Sequence, residues 1–358
     1  MKNKPRTLVI LSPGFPSDEA DTPCLPAQQV FLKAVNRNYP QLRVVVISFE
    51  YPFRRDNYRW FGNTIIAVGG WQKGWINKFR TCLTVWKILN ELYRSNEVIG
   101  LLSFWLGGCA LVGKYYAKWR SLRHHVWLLG QDARPGNRFV PLVRPAGSEL
   151  IAMSGFLAKE FFRNYRIRPA HIIPNGVDPS LYGPAPAVRD IDVLGVGSLI
   201  PLKQYHLFVS VVHRLSVTLP DIRGVLCGKG AEWDRLTQLI EQKGLNSNIT
   251  LVNEKPHAEA IGLMQRAKIL LHPSSYEGFS TVCLEALYAG AHVISYCDPT
   301  GSPVANWDIV ADEEEMTTRT LTLLQDPHLR FSPVLINTMD DSAKQIIQLF
   351  GYSETTTS

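Results

Sequence analysis

The stretch Lys268–Gly290, KILLHPSSYEGFSTVCLEALYAG, constrains the chain most. Lys268 to His272 is a short apolar run with little alternation, as expected of a parallel strand covered on both faces. Pro273, Ser274 and Ser275 end that strand. Ser280 is placed to cap the helix that follows. Val282, Leu284, Ala286, Leu287 and Ala289 give the helix a broad apolar face, and Gly290 stops it. A buried strand that feeds a helix through a tight loop belongs to a parallel α/β sheet. It also makes a chemical site, because a helix N-terminus combines backbone donors with a positive dipole end and attracts phosphate-like anions. Two carboxylates frame that site, Glu277 in the loop and Glu285 on the helix.

The same alternation runs through the whole chain. Strands are expected at Thr7–Ser12, Arg43–Phe49, Val126–Leu129 and Leu150–Ser154, with helices at Gln28–Asn36 and Gly155–Tyr165. This pattern predicts a doubly wound sheet whose ligands bind at the carboxyl ends of the strands. The loop carrying Gly14 and the turn carrying Asp132 therefore fall at candidate site edges. Val98–Gly113 is an uncharged run of 16 residues. It is short of the roughly 20 residues a membrane-crossing helix needs. Ser103 and the pair Gly107-Gly108 make it read as a strand, a glycine loop and a helix start.

A chain of 358 residues has room for two ordinary domains. Asn175-Gly176 favours a turn, and Pro179, Pro184 and Pro186 follow it, which marks a linker. The expected division is 1–174 as a first Rossmann-like domain, 175–190 as linker and 191–335 as a second such domain. Residues 336–358 add a last helix and a frayed tail. In the second domain Ile191–Val196 is a strand, and Gly195 and Gly197 permit close backbone approach. Lys203 stands near the next helix start, where a compact cation can neutralise a diphosphate. Gly224–Cys227 is a strand ending in the turn Gly228-Lys229-Gly230. A helix at Glu232–Gly244, a strand at Ile249–Val252 and a helix at Ala258–Arg266 lead back to the opening stretch. His292–Tyr296 is a strand, and helices at Glu314–Leu324 and Ser342–Phe350 end the series.

Charge is unevenly shared. Residues 1–170 hold 25 Lys and Arg against 10 Asp and Glu, and the remainder hold 13 against 21. A basic first half suits an anionic partner, either a phosphorylated acceptor or an anionic membrane surface, or it is a solvated basic face. Trp71–Arg94 combines Trp75, Ile76, Phe79, Leu83, Trp86 and Leu89 with Lys73, Lys78, Arg80 and Lys87. An interfacial helix and an ordinary helix on a sheet both show this pattern. No nucleic-acid reading motif accompanies the charge. The six scattered cysteines read as reduced core thiols of a cytoplasmic protein, and no signal peptide is expected at the basic N-terminus. His124 and His125 read as structural or exposed, and His257 and His272 as structural, with no ligand cluster around them, so no metal site is expected.

In PSSYEGFSTVCLEALYAG and the preceding GVGSLIPLKQYHLF, the chain resembles the retaining nucleotide-sugar glycosyltransferases of family 4. The resemblance implies a GT-B fold, two Rossmann-like domains facing a cleft, with the terminal helix crossing back to the first domain. It implies transfer of a sugar from a nucleotide-sugar donor, with retention, to a glycan or lipid-linked acceptor, and no cofactor or metal. It further implies cell-envelope or exopolysaccharide synthesis in the cytoplasm or at the inner membrane face. By the same resemblance, Glu277 lies by the donor sugar and phosphate, and Glu285 holds the ribose hydroxyls. Lys203, Ser198 and the backbone of Gly278, Phe279, Ser280, Thr281 and Val282 take the diphosphate, beside Gly197, Gly228 and Lys229. Asp132 contacts a sugar hydroxyl or, as a turn residue, serves the structure alone, and Gly14 and Asn175 border the acceptor. Two positions depart from the family pattern. Leu129 stands where a histidine is usual, and Ser198 where an arginine is usual. These departures keep open a degenerate sugar-nucleotide-binding protein without catalysis, and a GT-B nucleotide-sugar epimerase is a further alternative.

Overall fold

The computed structural model describes residues 4–70, 74–184, 186, 188–298 and 300–354. Trp71, Lys73, the Trp75 side chain and the tail after Glu354 lie outside the described residues. The chain divides into two compact units. The first comprises residues 1–175 with 339–358, and the second residues 176–338.

The first unit is built on an eight-stranded sheet. Its strands are β1 (Arg6–Gly14), β2 (Arg43–Tyr51), β3 (Asp56–Trp60), β4 (Asn63–Ala67), β5 (Glu97–Phe104), β6 (His124–Leu128), β7 (Leu150–Ala152) and β8 (His171–Ile172). They lie in the order β3-β4-β2-β1-β5-β6-β7-β8. Every pair is parallel except β3 with β4. The helices are α1 (Pro26–Asn38), α2 (Trp75–Ser95), α3 (Gly108–Arg120), the single turn α4 (Val140–Val143) and α5 (Gly155–Tyr165). Val9, Leu11, Val45, Ile47 and Leu101 of the central strands are fully buried, and pack with Val85, Leu89 and Leu92 of α2 and Val112 and Tyr116 of α3. Each such side chain contributes about 1.5–3 kcal/mol by leaving water.

The β3–β4 hairpin was not expected. Its strands, DNYRW at the sheet edge and NTIIA between it and β2, are five residues each and mix polar and apolar residues. Its two-residue turn is Phe61-Gly62, both at positive φ (41° and 81°), rather than the Asn-Gly pair that announces such turns. His124 and His125 sit within β6 and are both buried, which removes the option of exposure. Burial drives their imidazoles to about 3 and about 4. The Ser103 hydroxyl lies 2.9 Å from His124 Nε2.

The second unit has six parallel strands. These are β9 (Ile191–Val196), β10 (Gly224–Cys227), β11 (Ile249–Val252), β12 (Ala267–His272), β13 (His292–Ser295) and β14 (Trp307–Ile309). Their order is β11-β10-β9-β12-β13-β14. Helices α6 (Tyr205–Ser216), α7 (Trp233–Gln242), α8 (His257–Arg266), α9 (Thr281–Tyr288) and α10 (Glu313–Gln325) complete it. The strand order reverses at β9, with β10 on one side and β12 on the other. In doubly wound sheets this switch point opens a crevice at the strands' carboxyl ends. The edge strand β14 has only three residues and no apolar run to announce it. The Trp307 indole holds it by donating to Ser295 Oγ at 2.9 Å.

The last helix, α11 (Met339–Leu349), belongs to the first unit and buries Met339, Ala343, Ile346 and Ile347. Against α1, Asp340 accepts from Arg37 at 2.8 Å and from Asn38 at 2.7 Å. The Ser342 hydroxyl donates to the Pro174 carbonyl at 2.7 Å. No helix among the described residues is long and apolar enough to cross a membrane.

Candidate active site

The switch point of the second unit brings most of the singled-out residues together. β9 ends at Val196 and leads into Gly197, whose φ of 149° favours glycine. β10 ends at Gly228. A side chain at Gly228 would come within 1.9 Å of the Gly197 carbonyl oxygen, so the two loops touch backbone to backbone. Gly228 therefore serves loop packing, and so does Gly230, where a Cβ would meet the Leu199 carbonyl at 2.2 Å. The Leu199 N–H donates to the Lys229 carbonyl at 2.9 Å. That bond sets Lys229, exposed, one residue from the exposed Ser198. The backbones of the two residues therefore run side by side at the ends of adjacent strands.

β12 ends at His272, and its loop turns back on the short turn Pro201–Lys203. The Ser275 N–H donates to the Leu202 carbonyl at 3.0 Å, and Ser274 Oγ donates to the same oxygen at 3.3 Å. This stitching sets Glu277 against Lys203, with Lys203 Nζ in ion-pair contact with Glu277 Oε1. His272 Nε2 lies 3.0 Å from the same oxygen. Burial pushes the Glu277 carboxyl up, but the His272 hydrogen bond and the Lys203 charge outweigh it and hold it at about 2. Burial holds His272 below its ordinary range, against the pull of Glu277. A neutral imidazole facing a carboxylate donates, which puts its proton on Nε2.

His272 is the site residue that sequence reading missed. Its signal was position: the last residue of a buried strand, five before Glu277, at the sheet's carboxyl edge. The expected Ser280 cap is corrected. Ser280 is the N-cap of α9 by backbone geometry, yet its side chain makes no capping bond. Its hydroxyl instead lies 3.3 Å from His272 Nε2. α9 still presents its N-terminus, formed by Ser280, Thr281 and Val282 after Gly278 and Phe279. Glu285, one helix face away, meets His257 Nε2 at 2.7 Å. This pair is separate from the Glu277 cluster.

The first unit holds a second feature. A cavity of about 750 Å³ opens at the carboxyl ends of β1, β2 and β5, lined by Gly14, Tyr51, Trp105, Gly107, Asp132 and Phe139 among others. Asn175 is buried near the unit's end and does not line it. Asp132 is buried in the turn after β6, where its Oδ2 accepts the Leu129 N–H at 2.9 Å. Burial raises its carboxyl to about 7, opposed by the backbone N–H groups of Leu129 and Leu106. The folded state therefore keeps a proton that the unfolded chain releases near pH 4, and stability falls as pH rises from there through about 7. Denaturant unfolding of Asp132→Asn against the parent at pH 5 and pH 8 is expected to show the variant's relative stability rising by about 3 kcal/mol at the higher pH. Parallel profiles would mean the carboxylate is already ionised. Among the described residues no cluster of His, Cys, Asp and Glu could hold a metal ion, and all six cysteines are free thiols.

Residues 185–309 match the family model described as Glycosyl transferases group 1. The phosphatidylinositol N-acetylglucosaminyltransferase gpi3 subunit of Schizosaccharomyces pombe is 31% identical over 127 residues, which cover 35% of this chain and 28% of that protein. The chain spans less than half the length of the curated relatives it matches. Among solved structures, sucrose-phosphate synthase from Thermosynechococcus elongatus superposes with a TM-score of 0.70 at 17% identity, covering 96% of this chain and 94% of that one. Anabaena HepE in complex with UDP and glucose superposes with a TM-score of 0.69 at 16% identity, covering 96% and 97%. At these identities the likeness speaks for the fold, an α/β architecture with parallel sheets of the GT-B glycosyltransferase type.

Proposed function

From the glycosyl transferases group 1 segment at the switch point of its second sheet, we infer that the chain transfers a sugar from a nucleotide-sugar donor to a glycan or lipid-linked acceptor. The reading includes retention of configuration, in the manner of family 4, and a place in cell-envelope or exopolysaccharide synthesis. One observation carries it: Lys203, Glu277 and His272 converge at the carboxyl end of β12, beside the N-terminus of α9. Departure of a nucleotide diphosphate leaves negative charge to be stabilised. In this reading Lys203, the α9 N-terminus and the Ser198–Lys229 pair of loops supply fixed positive potential for it, the work a metal does elsewhere. Glu277, ionised at every working pH, orients Lys203 and faces the sugar. Glu285 takes the ribose hydroxyls and exchanges its His257 contact for them. Asp132 serves a sugar hydroxyl from the first unit's cavity.

The test is thermal unfolding with UDP-, GDP-, ADP- and dTDP-sugars, each with and without chelator. At about a hundredfold excess over Kd, a ligand stabilises by roughly 2.7 kcal/mol, or roughly 5–10 °C for a unit of this size. HepE is described with UDP, so a UDP-sugar is the first to try. A shift that survives chelation supports the metal-free donor site, and the anomeric configuration of the product, read by NMR, decides retention. Donor binding without any turnover would favour the degenerate reading, which Ser198 and Leu129 motivate.

A further inference from the structure

We propose that the first unit carries a bilayer-docking face, made by the first turns of α2, the outer side of α3 and the turn α4, that seats on anionic lipid. Ile76, Phe79, Leu83, Tyr115, Trp119 and Leu142 each leave 48–59% of their surface exposed. On α2 the first three share one stripe by helical spacing, while Val85, Leu89 and Leu92 already fill the core. A second outward apolar stripe is not what a solvated helix needs.

The three elements form one surface. The Tyr115 hydroxyl donates to the Leu142 carbonyl at 2.9 Å. Trp119 stacks on Trp86 of α2 with ring centroids 5.6 Å apart. Lys78 of α2 lines a hollow of about 460 Å³ together with Arg138, Phe139 and Leu142. The sequence pointed to α2 alone; the fold adds α3 and α4 to it.

Charge selects the occupant. Residues 74–90 contain no carboxylate, and residues 105–148 contain only Asp132, which is buried. The same two segments hold three and seven Lys and Arg residues. Tryptophan, tyrosine and phenylalanine rimmed by basic side chains match the boundary between headgroups and acyl chains of an anionic leaflet. A second copy of the chain would set Lys78 and Arg138 against like charge. Nucleic acid would leave Ile76, Leu83 and Leu142 without a partner. The hollow shares Gly136, Asn137 and Phe139 with the cavity that holds Asp132. A docked bilayer therefore lies beside that cavity's mouth.

The test is flotation of the full chain with phosphatidylcholine vesicles, with and without roughly one-third phosphatidylglycerol. It reads lipid binding alone and is independent of any transfer activity. Binding to the anionic vesicles is expected to be at least about tenfold stronger than to the neutral ones. Phe79→Ser with Leu83→Ser, and separately Lys78→Glu with Arg138→Glu, are each expected to lower it about tenfold or more. These side chains are exposed, and circular dichroism melts check that the fold is kept. The proposal is overturned if the parent chain stays unbound, if both variants float like the parent, or if sedimentation shows a second copy sealing this face.

Discussion

Glu277→Gln is expected to lower the turnover of sugar transfer by about 100- to 1,000-fold, the size of effect seen when one preorganised electrostatic group is removed from an active site. Glutamine keeps the shape and can still accept from His272 Nε2, so the change isolates the charge. The parent carboxylate titrates at about 2, so its charge is constant across any practical assay range. The activity profile between pH 5 and pH 9 should therefore show no acid limb from this group, and the variant's loss should be the same at both ends. Stability should also fall. The pair is mostly buried, its two side chains 19% and 15% exposed, and Lys203 would be left without its anion. Breaking a buried pair from one side costs up to about 3–5 kcal/mol, and the residual exposure lowers that here. Turnover, donor affinity and melting temperature are measured together. A folded Glu277→Gln protein with undiminished turnover would remove the residue from the chemistry.

Gly228→Ala is expected to destabilise the second unit by about 3 kcal/mol or more, lowering its melting temperature by roughly 10 °C. The added methyl would sit 1.9 Å from the Gly197 carbonyl oxygen and 3.0 Å from its carbonyl carbon. Both are backbone atoms at the end of a central strand, so neither can swing aside as a side chain would. The loops after β9 and β10 must part, and they carry Ser198 and Lys229. Donor-induced stabilisation should be lost along with the fold stability. Gly262→Ala is the control: this glycine lies inside α8 with nothing within 4 Å of a new Cβ. It should stabilise by about 0.5–1 kcal/mol through helix propensity. A Gly228→Ala protein melting with the parent would show that the two loops can separate freely.

What sequence alone could show follows the physics of each signal. The parallel strands announced themselves because burial on both faces demands unbroken apolar runs, as at ILLH in β12 and VVVIS in β2. The helix ends were legible where proline or glycine punctuated them. The β3–β4 hairpin and β14 were not: β3 and β14 are edge strands, which need neither an apolar run nor a fixed alternation, and β4 is only five residues long. At the site, residue types were legible and pairings were not. Nothing in the spacing of Lys203 and Glu277, 74 positions apart, says that a turn stitched to Leu202 brings them into contact. Ser280 shows the same limit, since a residue well suited to capping spends its hydroxyl on a neighbouring imidazole. Glu285 was read as open to a ligand, and a histidine at the start of the preceding helix already occupies it.

The first unit is written in two pieces, residues 1–175 and 339–358, with the second unit between them. On the ribosome this order has a cost in time. At about 5–20 residues per second, the 163 residues of the intervening unit take roughly ten to thirty seconds to emerge. Throughout that interval α1 lacks α11, and Gly100 lacks the Phe350 ring that packs on it. The inserted unit can close around all six of its strands while the older part of the chain still waits for its last helix. The nascent protein should therefore be most exposed to chaperones and proteases at its N-terminal end, the part made first and finished last.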